Sequence, residues 1–367
     1  MNKLGFGFLR LKKLDGGGEN DFDWNAINEQ VDEFMSRGGY YFDTAYTYLN
    51  GFSEYGIREC VVKRKPRGSV QICDKLPGYK CKSREDCGRF FEEQLERCGV
   101  DYFDVYMLHW LNARNYEKAE RYGEFEFLRE LKEKGLARRI GFSYHDSASL
   151  LDEILTAHPE VDLVQIQLNY LDWETAGIES RKCYETIVKH GKKVYVMEPV
   201  KGGSLASLPG EAEALLRAAH PDWSPAAWAL RFVQSLPEVE ICLSGMNDIA
   251  QVRENMEQFE PLTEDDVALL AKVRGIIERN TKVPCTGCRY CVSHCPMGIQ
   301  IPDIFKMLNE LHRWPAESWK IQPSYAQLTK NGGAASSCVK CGSCALNCPQ
   351  HIAIPDFIAE AAASFEK

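Results

Sequence analysis

Eight of the fifteen cysteines in this 367-residue chain fall into two copies of one pattern. Cys285, Cys288, Cys291 and Cys295 are followed by Pro296, and Cys338, Cys341, Cys344 and Cys348 by Pro349. Each copy reads C-x2-C-x2-C-x3-C-P, a spacing that suits a pair of [4Fe-4S] cubanes. Three close cysteines can wrap three iron corners of one cubane, while the fourth, redirected by the proline, reaches the partner cubane. One cluster is therefore expected on Cys285, Cys288, Cys291 and Cys348, and the other on Cys338, Cys341, Cys344 and Cys295. Zinc is the competing metal, but it takes four ligands, usually from two cysteine pairs, and fits two such dense runs poorly. Disulfides fit less well still. No N-terminal signal peptide is legible, so a reducing cytoplasm is the expected location, where thiols stay free or bind metal. The other seven cysteines show no ligand spacing. Cys73 and Cys242 sit in apolar runs and read as buried small hydrophobes, whereas Cys81 and Cys87 lie in a polar stretch where they are either unpaired thiols or reactive ones.

A second constellation is spread along the chain. Three short apolar runs end in Asp43, Lys75 and His109, and Tyr48 follows the first of them by five residues. Singly, a strand-end aspartate caps helices, a lysine is solvated and a lone histidine packs in a core. Together, an acid, a phenol, an ammonium and an imidazole at the ends of consecutive strands offer a proton donor beside groups that tune and orient it.

The elements that would position them are regular. Strand-like runs occur at Leu4–Leu9, Tyr40–Asp43, Val70–Lys75, Phe103–His109, Arg139–Ser143, Leu163–Leu168, Val194–Glu198 and Glu240–Ser244. Helical patterns alternate with them at about Trp24–Arg37, Ser53–Lys65, Ser83–Arg97, Ala119–Lys134, Ser147–His158, Glu174–His190, Pro225–Gln234 and Ile249–Phe259. Eight strand–helix repeats predict an α/β fold, a (β/α)8 TIM barrel, whose chemistry sits where the strands end. A doubly wound sheet would want G-x-G-x-x-G after the first strand, and Gly5-Phe6-Gly7 lacks the third glycine. The expected domains are a barrel over 1–262, a connecting helix in 263–283 opened by a Thr263-x-x-Asp266 cap, and a small cluster-binding domain over 284–367. The spacer Met297–Ser337 reads as a helix at Ile304–Arg313 followed by a loop rich in Trp, Pro and Gly, with Trp314, Trp319 and Tyr325 either docking the module or packing within the loop. The net charge of −9 argues against nucleic acid as a partner, and no apolar run approaches the ~18 residues of a membrane span.

The stretch Asp43-Thr-Ala-Tyr-Thr-Tyr48, then Ser53-Glu54, Cys73-Asp-Lys75 and Leu108-His109, resembles the aldo/keto reductase family over residues 4 to about 260. The whole chain resembles the bacterial and archaeal subgroup that carries a C-terminal two-cluster ferredoxin-like α+β domain. The resemblance implies an NAD(P)-dependent oxidoreductase that interconverts a carbonyl and an alcohol by hydride transfer. It makes Tyr48 the general acid, with Tyr46 as rival. A free phenol titrates near ~10, and the Lys75 ammonium would favour the phenolate. Asp43 would hold Lys75, and His109 would orient the substrate carbonyl.

The resemblance also assigns nicotinamide contacts. Ser143 and Gln165 match the carboxamide-binding positions, although the usual Ser-Asn pair is Ser143-Tyr144 here, with His145 as a substitute. Met197 falls where many members stack an aromatic ring. Gly202, Gly203, Ser204 and Leu205 fit the pyrophosphate loop, and Ser244, Met246, Gln251 and Asn255 the adenosine end. Gly245 and Gln251 stand where many members place Lys and Arg on a 2′-phosphate, so NADP and NAD are both expected cofactors. Trp110, Tyr122 and Phe142 are read as a pocket wall or as core. Hydride carries two electrons and each cluster one, so a flavin is the usual converter, and no site for one is legible. The clusters serve exchange with a ferredoxin or flavoprotein partner, hold the module together, or gate the barrel as a redox sensor. Substrate and oligomeric state are not legible.

Overall fold

The computed structural model describes residues 3–366 apart from 19, 176, 258, 314–317 and 331, and for 318–320 the backbone alone. Eight parallel strands close into a barrel in sequence order. They are β1 (Leu4–Gly7), β2 (Tyr41–Asp43), β3 (Gln71–Leu76), β4 (Phe103–Leu111), β5 (Ala137–Tyr144), β6 (Leu163–Gln167), β7 (Lys193–Met197) and β8 (Val239–Ser244). Each lies within a few residues of the run expected for it, because strands buried on both faces must be apolar throughout. Tyr41, Cys73, Val105, Met107, Leu163, Tyr195, Ile241 and Leu243 fill the interior as a packed core. A side chain at Gly5 would meet Tyr41, Ile241 and Leu243 within 2.9 Å, so β1 contributes space rather than bulk. Towards the N-terminal ends of the strands, Tyr195 Oη accepts from Arg139 and donates to Glu240, each at 3.0 Å.

The helices are α1 (Trp24–Ser36), α2 (Phe52–Gly56), α3 (Arg84–Cys98), α4 (Ala113–Tyr122), α5 (Glu124–Glu133), α6 (Ala148–Ala157), α7 (Ser180–Lys189), α8 (Gly210–Ala219), α9 (Pro225–Ser235), α10 (Ile249–Asn255) and α11 (Glu264–Arg279). α2 runs on as a wider π-type coil over Ile57–Val62. The single helix expected over Ala119–Lys134 is two, because Gly123 takes φ 64° between α4 and α5. α11 opens with the expected capping box, Thr263 and Asp266 each accepting from the other's backbone N–H.

Then follow α12 (Ile301–Arg313), α13 (Ser318–Lys330), α14 (Ser343–Leu346) and α15 (Ile354–Phe365). The spacer expected to end in a loop thus holds a second helix, α13, which tolerates Pro323. Tyr325 does not serve as a docking residue. It is buried in the module's own core with Ile304, Phe305, Ile358 and Phe365, and its hydroxyl accepts from Ala335 N–H at 2.8 Å. Trp314 lies outside the described residues, as does the side chain of Trp319. Among the described residues the module's β pairing is one isolated bridge, Ile299 to Gly333.

The compact units divide the chain differently from a cut at 262/263. One comprises the chain up to Pro199 with Ala227–Leu262, and the other Val200–Ala226 with the chain from Thr263 onward. The segment after β7, including α8, therefore belongs with the cysteine module. Among the described residues no helix is long and apolar enough to cross a membrane.

Candidate active site

β2 and β3 run side by side, pairing Asp43 with Cys73, so the Lys75 side chain two residues further on rises past the end of β2. Lys75 is fully buried. Its Nζ donates to Asp43 Oδ1 at 2.6 Å and to the Thr44 carbonyl at 2.7 Å. Burial pulls the Lys75 ammonium down, but Asp43, Cys73 and Asp74 outweigh it and hold the group above the ordinary lysine value. Gln165, on β6, reaches across to donate to the other Asp43 oxygen at 3.4 Å. Asp43 is thus clamped from two sides, and the ammonium has a fixed direction.

That direction is towards Tyr48, whose ring centroid lies 5.1 Å from Lys75 Nζ. The Tyr48 turn is built from unusual backbone: Leu49, Asn50 and Gly51 all have positive φ. The left-handed conformation costs a non-glycine residue roughly 1–2 kcal/mol, so Leu49 in particular is held there by its surroundings. Ser53, in α2, supplies part of the hold, with its Oγ donating to the Phe8 carbonyl at 3.0 Å and 2.6 Å from Thr44 Oγ1.

His109 is presented by a bulge. The β4–β5 register shifts between Leu108 and Leu111, and Trp110 has φ 63°. Bulges of this kind re-aim side chains next to sites. The imidazole stands edge-on to Tyr48 at 5.6 Å between centroids. Burial, then Lys75, then His145 push its pKa well below the usual histidine value, so the ring is neutral near pH 7. Its Nδ1 is buried and has no hydrogen-bond partner among the described residues. Asp43, Tyr48, Lys75 and His109 therefore meet at one rim, with Tyr48 left partly exposed.

Tyr46 is elsewhere. Its hydroxyl donates to Glu93 at 3.1 Å, Arg97 lies over its ring at 4.3 Å, and burial raises its pKa. Two further groups stand at the site, Tyr79 with no motif to announce it and a carboxylate pair from the Ser53-Glu54 and Cys73-Asp-Lys75 stretches. Tyr79, four residues after Lys75, packs its ring against both His109 and Trp110, at 5.9 and 5.5 Å. Its place in a strand-end loop was the available signal. Behind Lys75, two buried carboxylates, Glu54 and Asp74, face each other, with Arg97 paired to Glu54 at 2.9 Å. Burial and then Glu54 hold the Asp74 carboxyl well above the usual range.

The expected nicotinamide contacts are placed as follows. Ser143, on β5, accepts from the Trp110 N–H at 2.7 Å, which ties it to the bulge. Tyr144 turns away from the rim, donating to the Ser147 carbonyl and packing on Phe142, which is itself fully buried under Phe125. Phe142 is therefore core rather than pocket wall. Met197 ends β7 half-buried. Met246 is buried, and Ser244 Oγ accepts from Asn255 at 3.2 Å. Gln251 accepts from the Asn247 N–H at 3.0 Å. The Arg10 stem packs against Gly245, where a Cβ would lie 3.2 Å from it. These residues leave buried amide and hydroxyl groups at the strand ends, a donor set that suits a nicotinamide amide.

In the second unit, Lys201, Gly202 and Gly203 all have positive φ, at 47°, 64° and 99°. A Cβ at Gly202 would collide with the carbonyl of Thr286, between Cys285 and Cys288. Lys201 Nζ also donates to Gln350, two residues after Cys348, at 3.3 Å. The segment with Gly202, Gly203, Ser204 and Leu205 thus rests on the cysteine loops, with Leu205 buried.

Two pockets hold the eight cysteines between them. Cys285, Cys288, Cys291 and Cys348 line the first, backed by Ile301, Phe305 and Ile352. Cys295, Cys338, Cys341 and Cys344 line the second, backed by Ile299, Val339 and Ile358. Four thiols converging on an apolar hole, twice, are a donor set that fits cubane clusters.

The aldo/keto reductase family model matches residues 3–274, and that of a 4Fe-4S dicluster domain matches residues 284–353. An aldo-keto reductase of Mycolicibacterium vanbaalenii is 30% identical over 240 residues, covering 62% of this chain and 76% of that one. The NADH-specific methylglyoxal reductase of Escherichia coli is 24% identical over 328 residues, covering 76% and 96%. A solved aldo-keto reductase from Klebsiella pneumoniae, in complex with NADP and acetate, superposes with a TM-score of 0.60 at 18% identity, over 74% of this chain and 91% of that one. At that identity the likeness speaks for the fold alone.

Proposed function

The chain belongs to the aldo/keto reductase family and carries a 4Fe-4S dicluster domain, and on that basis we propose that it interconverts a small carbonyl compound and its alcohol with NAD(P)(H), its clusters exchanging electrons with a redox partner. The observation that carries the proposal is the Asp43–Lys75 pair aimed at Tyr48 beside a neutral His109. When bound, the reduced nicotinamide supplies the hydride and the clusters carry single electrons.

The chain's own residues do the rest. Tyr48 Oη gives its proton to the carbonyl oxygen as charge develops there. Lys75 lowers the cost of the phenolate that remains, and Asp43 and Thr44 keep the ammonium from turning away. His109, neutral, donates through one imidazole N–H and orients the carbonyl without adding a buried charge. The tether of Tyr46 to Glu93 and Arg97 supports Tyr48 over it for the role. Ser143 and Gln165 would hold the carboxamide, and Met197 would pack on the ring less rigidly than an aromatic. Gly202, Gly203, Ser204 and Leu205 would hold the pyrophosphate, and Ser244, Met246, Gln251 and Asn255 the adenosine end. Gly245 and Gln251 bring no charge to a 2′-phosphate, and Arg10 is the cation packed against Gly245. Both NADH and NADPH therefore belong in the assay.

The electron-exchange reading is supported by the close approach of Gly202 to Thr286, which lies between Cys285 and Cys288. The test is anaerobic turnover of small aldehydes, methylglyoxal among them, by the cluster-loaded protein. The wild type is expected to consume NAD(P)H with the aldehyde, and Tyr48→Phe to bind nucleotide equally well without turnover. Equal turnover by Tyr48→Phe would sink the assignment.

A further inference from the structure

Away from the rim, two thiols and a carboxylate that this chemistry does not use come together. Cys81 closes the turn Gly78–Lys80, Cys87 lies in the first turn of α3, and Glu124 opens α5. All three are buried, so the polar-loop setting read for the two cysteines does not hold. One ligand atom of each lies within 4.8 Å of the others. The two Sγ atoms are 3.8 Å apart. Ligands at the ~2.3 Å Zn–S distance in a tetrahedron stand about 3.8 Å apart, so the thiols already have that edge length. A disulfide would need them at about 2.05 Å.

Glu124 is the second observation. It is 2% exposed, and its Oε1 has no hydrogen-bond partner among the described residues. A buried carboxylate oxygen without a donor is costly, and burial pushes this carboxyl up to about 7 against the pull of Lys118 and Arg84. Its carboxylate lies directly against Gly78, where a side chain would meet it. A cation between Glu124 and the two sulfurs would satisfy the oxygen in place.

We propose that Cys81, Cys87 and Glu124 bind Zn2+. The Pro77 carbonyl, 4.0 Å from Cys81 Sγ, or a water completes the tetrahedron. On binding, two S–H bonds break, as does the carboxyl O–H where Glu124 is protonated, two Zn–S bonds and one Zn–O bond form, and the protons leave to solvent. No electron changes hands. Two thiolates and a carboxylate leave a net single negative charge around Zn2+, which Lys118 and Arg84 face. The ion ties the turn after β3 to α3 and α5. That turn carries Tyr79, whose carbonyl accepts from Lys118 at 2.6 Å and whose ring packs on His109. The site is therefore structural, set behind the wall of the rim.

The test is metal counting on the full chain, purified without oxygen, equilibrated with equimolar Zn2+ and dialysed. About one zinc should accompany about eight iron. Cys87→Ser and Glu124→Gln should each lower zinc at least tenfold with iron unchanged. Wild type holding less than about a tenth of an equivalent of zinc would overturn the proposal. So would zinc retained in both variants, which places it at other thiols, or a Cys81–Cys87 peptide lighter by two hydrogens, which shows a disulfide. Should Cys87→Ser fail to fold, alkylation of the wild type decides. Zn2+ should slow labelling of Cys81 and Cys87, and an unchanged rate counts against the site.

Discussion

Lys75 and Asp43 are as deeply buried as Cys291 and Cys344, yet the two sets depend on different partners. At the rim, Asp43 holds the ammonium and Gln165 the far carboxylate oxygen, so the protein itself satisfies the Asp43–Lys75 pair. In the module, thiols converge on cavities walled by isoleucine, valine and phenylalanine. Arg289 and Lys340 also line them, and four thiolates around each hole still need the charge that iron supplies. The rim is preorganised by the chain, and the module is completed by a cofactor. Losing the rim's chemistry should leave the fold intact, while losing iron should undo the module's structure.

The largest effect expected at the rim is on chemistry alone. Tyr48→Phe should lower kcat by about 10^2–10^4, the usual worth of a positioned proton donor, with nucleotide affinity and iron content unchanged. If it also lost iron, the two sites would not be separable in the way argued. In the module, Cys344→Ser should take iron from about eight to about four per chain while Tyr48-dependent turnover persists. Abolished turnover with the barrel still folded would give the clusters a part in catalysis.

A smaller effect comes from breaking the rim's own pairing. Lys75→Met leaves Asp43 buried and unpaired, which should cost about 3–5 kcal/mol in denaturant unfolding. Asp43→Asn added to it should recover part of the loss. Full additivity would mean that the pair is not coupled.

Smallest is the pH response of His109. Its folded pKa lies below the unfolded ~6.5, with Lys75, His145 and the Tyr48 and Tyr79 rings facing it. The stability it contributes is therefore fully present above pH ~6.5 and lost as pH falls through that value towards the folded pKa. His109→Gln should flatten this acid limb, read from thermal unfolding between pH 7 and pH 5. An unchanged slope would assign the limb to other groups.

The same contrast governs how much the sequence disclosed. The proposed cluster ligands are closely spaced, so spacing alone suggested them, with an exchange of Cys348 and Cys295 that the linings of the two cavities match. The barrel was legible because its strands are apolar on both faces. Asp43, Lys75 and His109 were read as strand-end polar residues, but the hydrogen bonds of Asp43 and Lys75 cross between strands and have no local pattern. Tyr79 escaped because an aromatic in a loop carries no periodic signal. Cys81 and Cys87 were placed in a polar loop because their neighbours Lys80, Lys82, Arg84 and Glu85 are charged. The fold instead turns both sulfurs inward against Glu124, a residue 37 positions from Cys87. The helix α13 was hidden by Pro323 and the glycines after it, breakers that a helix packed through Ile321 and Tyr325 can absorb.

One anaerobic titration bears on the whole account. The cluster-loaded protein is mixed with NADPH, or with NADH, and the broad cluster absorbance near 400 nm is followed. Bleaching is expected, with one NAD(P)H oxidised and its proton released for every two clusters reduced, and slower in Gly202→Ala, whose added methyl would push the segment proposed for the pyrophosphate off Thr286. Clusters that dithionite reduces but neither nucleotide does, with or without an aldehyde present, would contradict it and leave a carbonyl reductase whose clusters take no part in its electron flow.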